Sequence, residues 1–532
     1  MKILISFIIV IFLSIPTLLV GNSPSVMEDL QSKLKVEAEK ITKAEMSGID
    51  EFFGGDLFEG RAPGTRGGNL AQEYIRSMFK FMNIQPLGIK YIQPFILKGF
   101  TTKELNLNAN GIKLKYKNDI VGGYIGDNDK FNISAGAVFI GFGTKAKLWN
   151  WDDFKDSDIS GKIVIVRVND PGMFIEGIFE DKILTYFGRW TYHIEEAKKR
   201  GALGVLLIHT DESAGYGWKV VRNSWGGEEL YLLADLNGNL KFSGWIKEES
   251  LKGILKKRGM DLRDLYKRSL RRDFKPVDLG FDINISGMRV SREVKNANVI
   301  GLIPGKSKKK IVLSAHIDHL GKDNGKSGDN IYNGAIDNGT AVTSLLLSAK
   351  VLKKFQAQLY YSIVILAPNA EESGLLGTRY FVRSYKGDDI IANINFESTP
   401  VWEKSDSIMG VGARFSTLED MLKIITKKEG LKYSYFSMSN QGFFFRSDQF
   451  EFARIGIPAM WISAGEREIS GEQNYKDFWK IRYHTVKDEY DPAWNLGGLK
   501  QTIKFALMLT GYINDNKEEP HFKNNLTFPV YK

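Results

Sequence analysis

Four short apolar runs in the C-terminal half constrain the fold most. Ile311–Ala315, Ile363–Ala367, Ile391–Phe396 and Ile457–Ile462 are apolar except for Ser314, Asn393 and Asn395. A strand with one wet face alternates apolar and polar residues; a strand covered on both faces has no need to. Between the runs lie stretches with helical spacing, such as Val342, Leu345, Leu346, Ala349 and Leu352. This alternation predicts an α/β fold with a mostly parallel or mixed central sheet and helices on both faces. Sites in such sheets form at the carboxyl ends of the strands.

Those ends are where the polar residues gather. The first run leads into "SAHIDHLG", with His316, Asp318 and His319. Asp337 stands just before the predicted helix, where the helix N-terminus favours an ionised carboxylate. The second run is followed by the adjacent pair Glu371 and Glu372, the third by Glu397, and His484 comes late in "IRYHTVKDEYDP". If the paired glutamates continue the strand, their side chains point to opposite sides and need not share one environment.

Cysteine is absent, which excludes disulfides and thiolate metal ligands. Two histidines and three carboxylates at one sheet edge suit zinc held by nitrogen and oxygen. Five ligands exceed what one catalytic zinc takes, and they suit two metals sharing a carboxylate. Each residue alone has a plainer reading. Asp337 is an ordinary N-cap, Glu397 an ordinary strand-end acid, and His316 and His484 are satisfied loop histidines. Their agreement in position carries the metal hypothesis. His193, His209 and His521 read as structural or solvated, and His319 as part of the loop around His316.

The N-terminal half is organised differently. "MKILISFIIVIFLSIPTLLVGNSPS" has the pattern of a secretory signal peptide over 1–23, with an uncleaved anchor as the alternative. Ala71, Tyr74, Ile75, Met78 and Met82 predict a helix after the Gly-rich "GRAPGTRGG". "GAVFIGFG" and "SGKIVIVRVNDPG" read as short strands, and residues 193–209 as helix, Gly turn and buried strand. The net charge is +10, but the basic residues are dispersed. Their densest cluster, 255–272, reads as one amphipathic helix with a solvated basic face, so no nucleic-acid partner is expected.

The motifs "GRAPGTRGG", "SAHIDHLG", "IYNGAIDNGTAV", "NAEESGLLGTRYF", "FFRSDQFEFARIGIPA" and "YHTVKDEYD", in that order, resemble the M28 family of zinc peptidases. "SGKIVIVRVNDPG", "GRWTYHIEEAKKRGALGVLLIHT" and "AGYGWKVVRNSW" resemble the protease-associated (PA) domain inserted in one branch of it. The resemblance implies a catalytic domain over 24–120 and 286–532, interrupted by a β-rich PA insertion over 121–285. It also implies two Zn2+ ions, one held by His316, Asp337 and Glu397, the other by Asp337, Glu372 and His484, with Asp337 bridging. Asp318 would orient His316, and Glu371 would be the general base. Two positions depart from the pattern: Glu397 stands where many relatives have Asp, and Gln449 follows Ser447–Asp448 where relatives often have His.

The implied activity is metal-assisted hydrolysis of peptide bonds by a secreted or periplasmic aminopeptidase. A carboxypeptidase of the same family would need an arginine for the free carboxylate, and Arg446 is near enough in sequence to serve. Phe443–Phe445 are either core or the lining of a side-chain pocket. A catalytically dead binding protein that uses the insertion as its contact surface is the reading from another class.

Overall fold

The computed structural model of the protein describes residues 29–214, 217–323, 325–385 and 387–531. The expected leader lies outside the described residues. The site-bearing sheet comprises β1 (Val277–Ile303), β2 (Ser307–Ser314), β3 (Tyr361–Ala367), β4 (Ile390–Asn395), β5 (Ser407–Val411), β6 (Lys432–Ser434) and β7 (Ala459–Ala464). Their spatial order is β6-β5-β7-β4-β2-β3-β1. The central strands β7, β4, β2 and β3 are parallel, while β5 and β1 lie antiparallel at either side.

Every residue of β3, β4 and β7 is buried, so β3 is almost wholly apolar, and the two polar residues of β4, Asn393 and Asn395, are buried with hydrogen-bond partners. Helices Ala341–Lys354 and Gly497–Asn516 pack against each other and on the sheet, and Leu376–Ser384 and Gln449–Arg454 form a second such pair. Each fully buried aliphatic side chain of these strands contributes roughly 1.5–3 kcal/mol. The chain's beginning is fastened to its end: helix Leu30–Glu39 lies along Gly497–Asn516, and the Asp515 carboxylate accepts from the Leu30 and Gln31 N–H groups at 3.0 and 2.8 Å.

The second body hangs from two long strands. β1 runs for 27 residues and pairs antiparallel with Ile92–Ala109 along most of its length. One end of β1 belongs to the site-bearing sheet beside β3, and the other pairs with Lys130–Phe139. Strands Lys130–Phe139, Ile163–Arg167, Gly204–His209 and Phe242–Lys247 then follow in parallel order. Successive side chains point to opposite faces. Ile163, Ile165, Leu206 and Ile208 therefore join one apolar cluster, and Val164, Val166, Val205 and Leu207 another.

The basic stretch differs from its sequence reading. Only Leu262–Ser269 is a helix within it, while its first residues, Leu255 and Lys256, end the preceding helix Glu248–Lys256. Gly259 between them adopts φ +74°, which a helix cannot contain, and Asp261 caps the second helix by accepting from the Arg263 N–H. Leu262 and Leu265 are buried, as the spacing predicts.

The two bodies share a continuous apolar seam. Tyr186 packs on Phe450 and Phe445, with ring centroids 4.7 and 5.8 Å apart. Around the seam run ion pairs Arg454–Glu195 (2.9 Å), Arg414–Glu180 (3.0 Å) and Arg383–Asp235 (2.6 Å).

His193, in helix Trp190–Lys199, is 1% exposed, and burial lowers its pKa to about 3. In an unfolded chain the imidazole takes up its proton near 6.5. The stability it contributes is therefore full above pH 6.5 and is lost as the pH falls toward 3. Replacing His193 with Phe should flatten the decline of melting temperature across that window. A variant as acid-sensitive there as the wild type would show that another group is responsible.

Candidate metal centre

The polar groups arrive from three adjacent strands. His316 and Asp318 follow β2, Glu371 and Glu372 follow β3, and Glu397 follows β4. Asp337 and His484 approach on loops.

Asp337 does not cap the helix that it precedes. Its φ/ψ of −105°/88° is non-helical, the Asp337–Asn338 peptide is cis, and the helix begins at Ala341. Its main chain is held instead by Asp488, whose carboxylate accepts from the Ile336 and Asp337 N–H groups at 3.0 and 2.9 Å. Asn338 donates to the His316 carbonyl (3.3 Å) and accepts from the Ser398 N–H (2.9 Å), so it links the ends of β2 and β4. Gly334 turns the loop at φ +60°, and a Cβ there would strike the Asp337 carbonyl and the His319 ring.

The Asp337 carboxylate faces two ways. Oδ1 lies 3.5 Å from His316 Nε2, and Oδ2 lies 3.2 Å from His484 Nε2. On the first side, His316 Nε2 is 3.3 Å from Glu397 Oε1 and 3.9 Å from Glu371 Oε2. On the second, His484 Nε2 is 3.1 Å from Glu372 Oε2. The ligand atoms of His316, Asp337 and Glu397 all lie within 4.8 Å of one another, and so do those of His319, Asp337 and Glu372. Two converging sets of nitrogen and carboxylate donors without sulfur fit zinc.

His319, assigned from sequence to the surrounding loop, comes into this group. Its Nδ1 is 2.8 Å from Glu372 Oε1 and 4.0 Å from Asp337 Oδ2. Its spacing of three residues from His316 was the available signal. The His484 side chain is 34% exposed against 1% for His316, so the centre opens to solvent at His484. Tyr483 stacks on the His484 ring at 3.9 Å.

The paired glutamates lie in a turn and not on an extended strand. β3 ends at Ala367, Ala370 is left-handed at φ 62°, and the Gly374 and Leu375 N–H groups both donate to the Glu371 carbonyl at 2.8 Å. Their side chains diverge all the same, Glu371 toward His316 and Glu372 toward His319 and His484. Asp318 fixes this turn, accepting from the Glu371 and Glu372 N–H groups at 3.0 and 3.2 Å. The atom nearest His316 Nδ1 from this residue is its main-chain carbonyl at 3.2 Å, with the carboxylate at 3.8 Å.

Burial opposes the charged forms of His316, His484, Asp337, Glu372 and Glu371, and the neighbours reverse its effect at the first four. Glu397 and Glu371 overcome burial and hold the His316 imidazole well above its usual range. Glu372 and Asp337 lift His484 to about 10. Against burial, His316 and His484 hold Asp337 well below the usual carboxylate range, and His484 brings Glu372 down to about 2. Glu371 goes the other way: burial raises it, and Glu397 and Glu372 add to the rise over the opposing pull of His316. Adjacent carboxylates are thus driven apart, one toward the ionised form and one toward holding a proton.

Glu397 is anchored by Ser447, whose hydroxyl donates to Oε2. Asn395 donates to Ser447 Oγ at 3.1 Å and to Gln449 Oε1 at 3.0 Å, while Gln449 Nε2 donates to the Phe444 carbonyl at 3.1 Å. A neutral histidine also offers one donor and one acceptor, so Gln449 can fill such a position without titrating. Phe443, Phe444 and Phe445 are buried within the core cluster. The Arg446 guanidinium lies over the Phe443 ring at 4.7 Å.

Gln449→Leu leaves the Asn395 N–H and the Phe444 carbonyl without this partner. It should cost about 1–3 kcal/mol per buried group in urea unfolding. Gln449→His should cost clearly less, and equal losses for the two variants would refute the bridging role.

Residues 298–510 match Peptidase family M28. A probable leucine aminopeptidase of Arthroderma otae is 30% identical over 117 residues, and that stretch is 21% of this chain and 32% of the relative. The solved aminopeptidase of Aneurinibacillus sp. strain AM-1 superposes with a TM-score of 0.51 at 16% identity, covering 95% of this chain and 99% of that one. A zinc aminopeptidase of Bacillus subtilis gives 0.41 at 15% identity, covering 91% and 94%. The fold is therefore one that a solved aminopeptidase shares, and residues 298–510 are similar to peptidase family M28.

Proposed function

We propose that the chain is a secreted zinc aminopeptidase with two metal ions. The observation that carries the two-ion reading is the placement of Asp337, with one carboxylate oxygen toward His316 and the other toward His484. His316, Asp337 and Glu397 would hold one Zn2+, and Asp337, Glu372 and His484 the other. His319, on the Glu372 side, competes with His484 for the same carboxylate. Zinc bound here supplies Lewis acidity that polarises a scissile carbonyl and acidifies a water.

The remaining work falls to the chain's own groups. Glu371 takes the proton of the attacking water and passes it to the leaving amine. Glu371 is assigned to neither ion, and its Oε2 lies 3.9 Å from His316 Nε2 inside the centre, which suits a carboxylate that takes up a proton and gives it back during turnover. Asp318 holds the backbone of both glutamates, so that Glu371 and Glu372 keep separate directions.

Residues 121–285 are read as the PA-like insertion. Their own apolar clusters and their seam with Phe445 and Phe450 support a role in shaping the cleft. The leader over 1–23 places the protein outside the cytoplasm on this reading. No helix among the described residues is long and apolar enough to cross a membrane.

Metal analysis should find about two zinc per chain, and none after zinc loading would overturn the enzyme in favour of a binding protein. Glu371→Gln should keep both ions and lose roughly a hundredfold or more in turnover. Glu372→Gln should lose metal. Near wild-type turnover for Glu371→Gln would remove that residue from the mechanism. Peptides with free or blocked termini identify the substrate class. Cleavage confined to free-amine substrates supports the aminopeptidase, whereas dependence on a free C-terminus points to a carboxypeptidase using Arg446.

A further inference from the structure

The motif "GRAPGTRGG" lies outside residues 298–510 and supplies nothing to the chemistry above. Its Arg61 is nevertheless 0% exposed. Nε donates to the Ile317 carbonyl at 3.0 Å, Nη2 to Gly334 at 2.9 Å, and Nη1 to Asn333 and to Phe53 at 3.1 Å. Every one of these partners is a main-chain carbonyl. Ile317 sits between His316 and Asp318, while Asn333 and Gly334 begin the turn that delivers Asp337. One rigid guanidinium fork therefore clasps two separate segments that bring His316 and Asp337 together. Phe53, under the guanidinium at 4.7 Å, fixes the plane of the fork.

We propose that Arg61 is a positioning residue of the metal centre, setting the spacing between the His316 and Asp337 segments so that both reach one ion. This rests on the two-zinc reading above. Ligand geometry must hold to about half an ångström, and a lysine keeps the charge but cannot bond two segments at once in a fixed plane.

Arg289 provides a matched control. It is 2% exposed, donates to the carbonyls of Tyr124 (3.0 Å), Gly126 and Asn128 (3.3 Å), lies over Phe100, and touches none of the segments that carry the metal-ligand candidates. Zinc affinity is to be measured by competition with a chromophoric chelator on wild type, Arg61→Lys and Arg289→Lys, at a temperature where all three are folded. Arg61→Lys should bind zinc more weakly by about 10- to 100-fold, the scale of losses when supporting groups around metal ligands are removed. Its kcat should recover toward wild type at saturating zinc, with KM little changed. Arg289→Lys should lose melting temperature but keep its zinc affinity.

Equal zinc affinity for Arg61→Lys and wild type overturns the role of Arg61. Wild type that binds no zinc overturns the two-zinc reading instead, so the two failures are distinct. Should Arg61→Lys not fold, the wild type decides. Coupling is reciprocal, so zinc loading should slow amide hydrogen exchange across residues 53–62. Unchanged exchange there overturns the proposal.

Discussion

Like charge gathered in a buried place is the constraint to which the rest of this structure answers. Asp337, Glu371, Glu372 and Glu397 lie at most 9% exposed at the side chain and within reach of the same imidazoles. Taking carboxylates out of water costs several kcal/mol each unless partners return it. The fold answers in three ways. Imidazoles stand between the carboxylates, so that no two acids face each other without a ring nitrogen nearby. Behind them, Asp318 and Asp488 spend their own oxygens on backbone N–H groups, which fixes the turns while burial raises both to about 6. Further back, Arg61 adds a buried cation. Burial lowers its pKa to about 10, the aspartates oppose the fall, and it remains charged at neutral pH.

The sheet and the ligand-type residues were legible because they act through pattern. Continuous apolar runs announce strands covered on both sides, and acids just past their ends stand out against that background. Asp488 and Arg61 were not legible as part of the centre. They act on main-chain atoms of residues far away in sequence, and such contacts leave no spacing to read. Asp337 shows the same limit at one position. Its place before a helix suggested a cap, yet the helix begins only at Ala341, and the Asp337 N–H donates to the Asp488 carboxylate, which fixes its main chain. In the basic stretch the left-handed Gly259 separates the periodic residues, which share one helix, from the two that end the helix before it.

The centre is also linked to the second body through a short series of contacts. Ser447 bonds Glu397, and Gln449 ties Phe444 to Asn395. The phenylalanines next to them carry the Tyr186 seam. Packing against the second body is thus connected through a few side chains to the carboxylate of Glu397. Close-packed interiors transmit displacement rather than absorb it. A shift of the seam would be felt at that carboxylate before it was felt at Asp337, which is braced from the opposite side.

The long antiparallel pair Ile92–Ala109 and β1 has a consequence for how such a chain could arise and move. Departure and return lie on adjoining rungs of one ladder. To the site-bearing sheet, everything between them is only an extended hairpin, so a sizeable body could be grafted there without reordering a single central strand. The same ladder resists a simple swing of one body against the other, because bending it means shearing a row of main-chain bonds. Such a graft travels with its host as a stiff bracket and not as a door on a hinge.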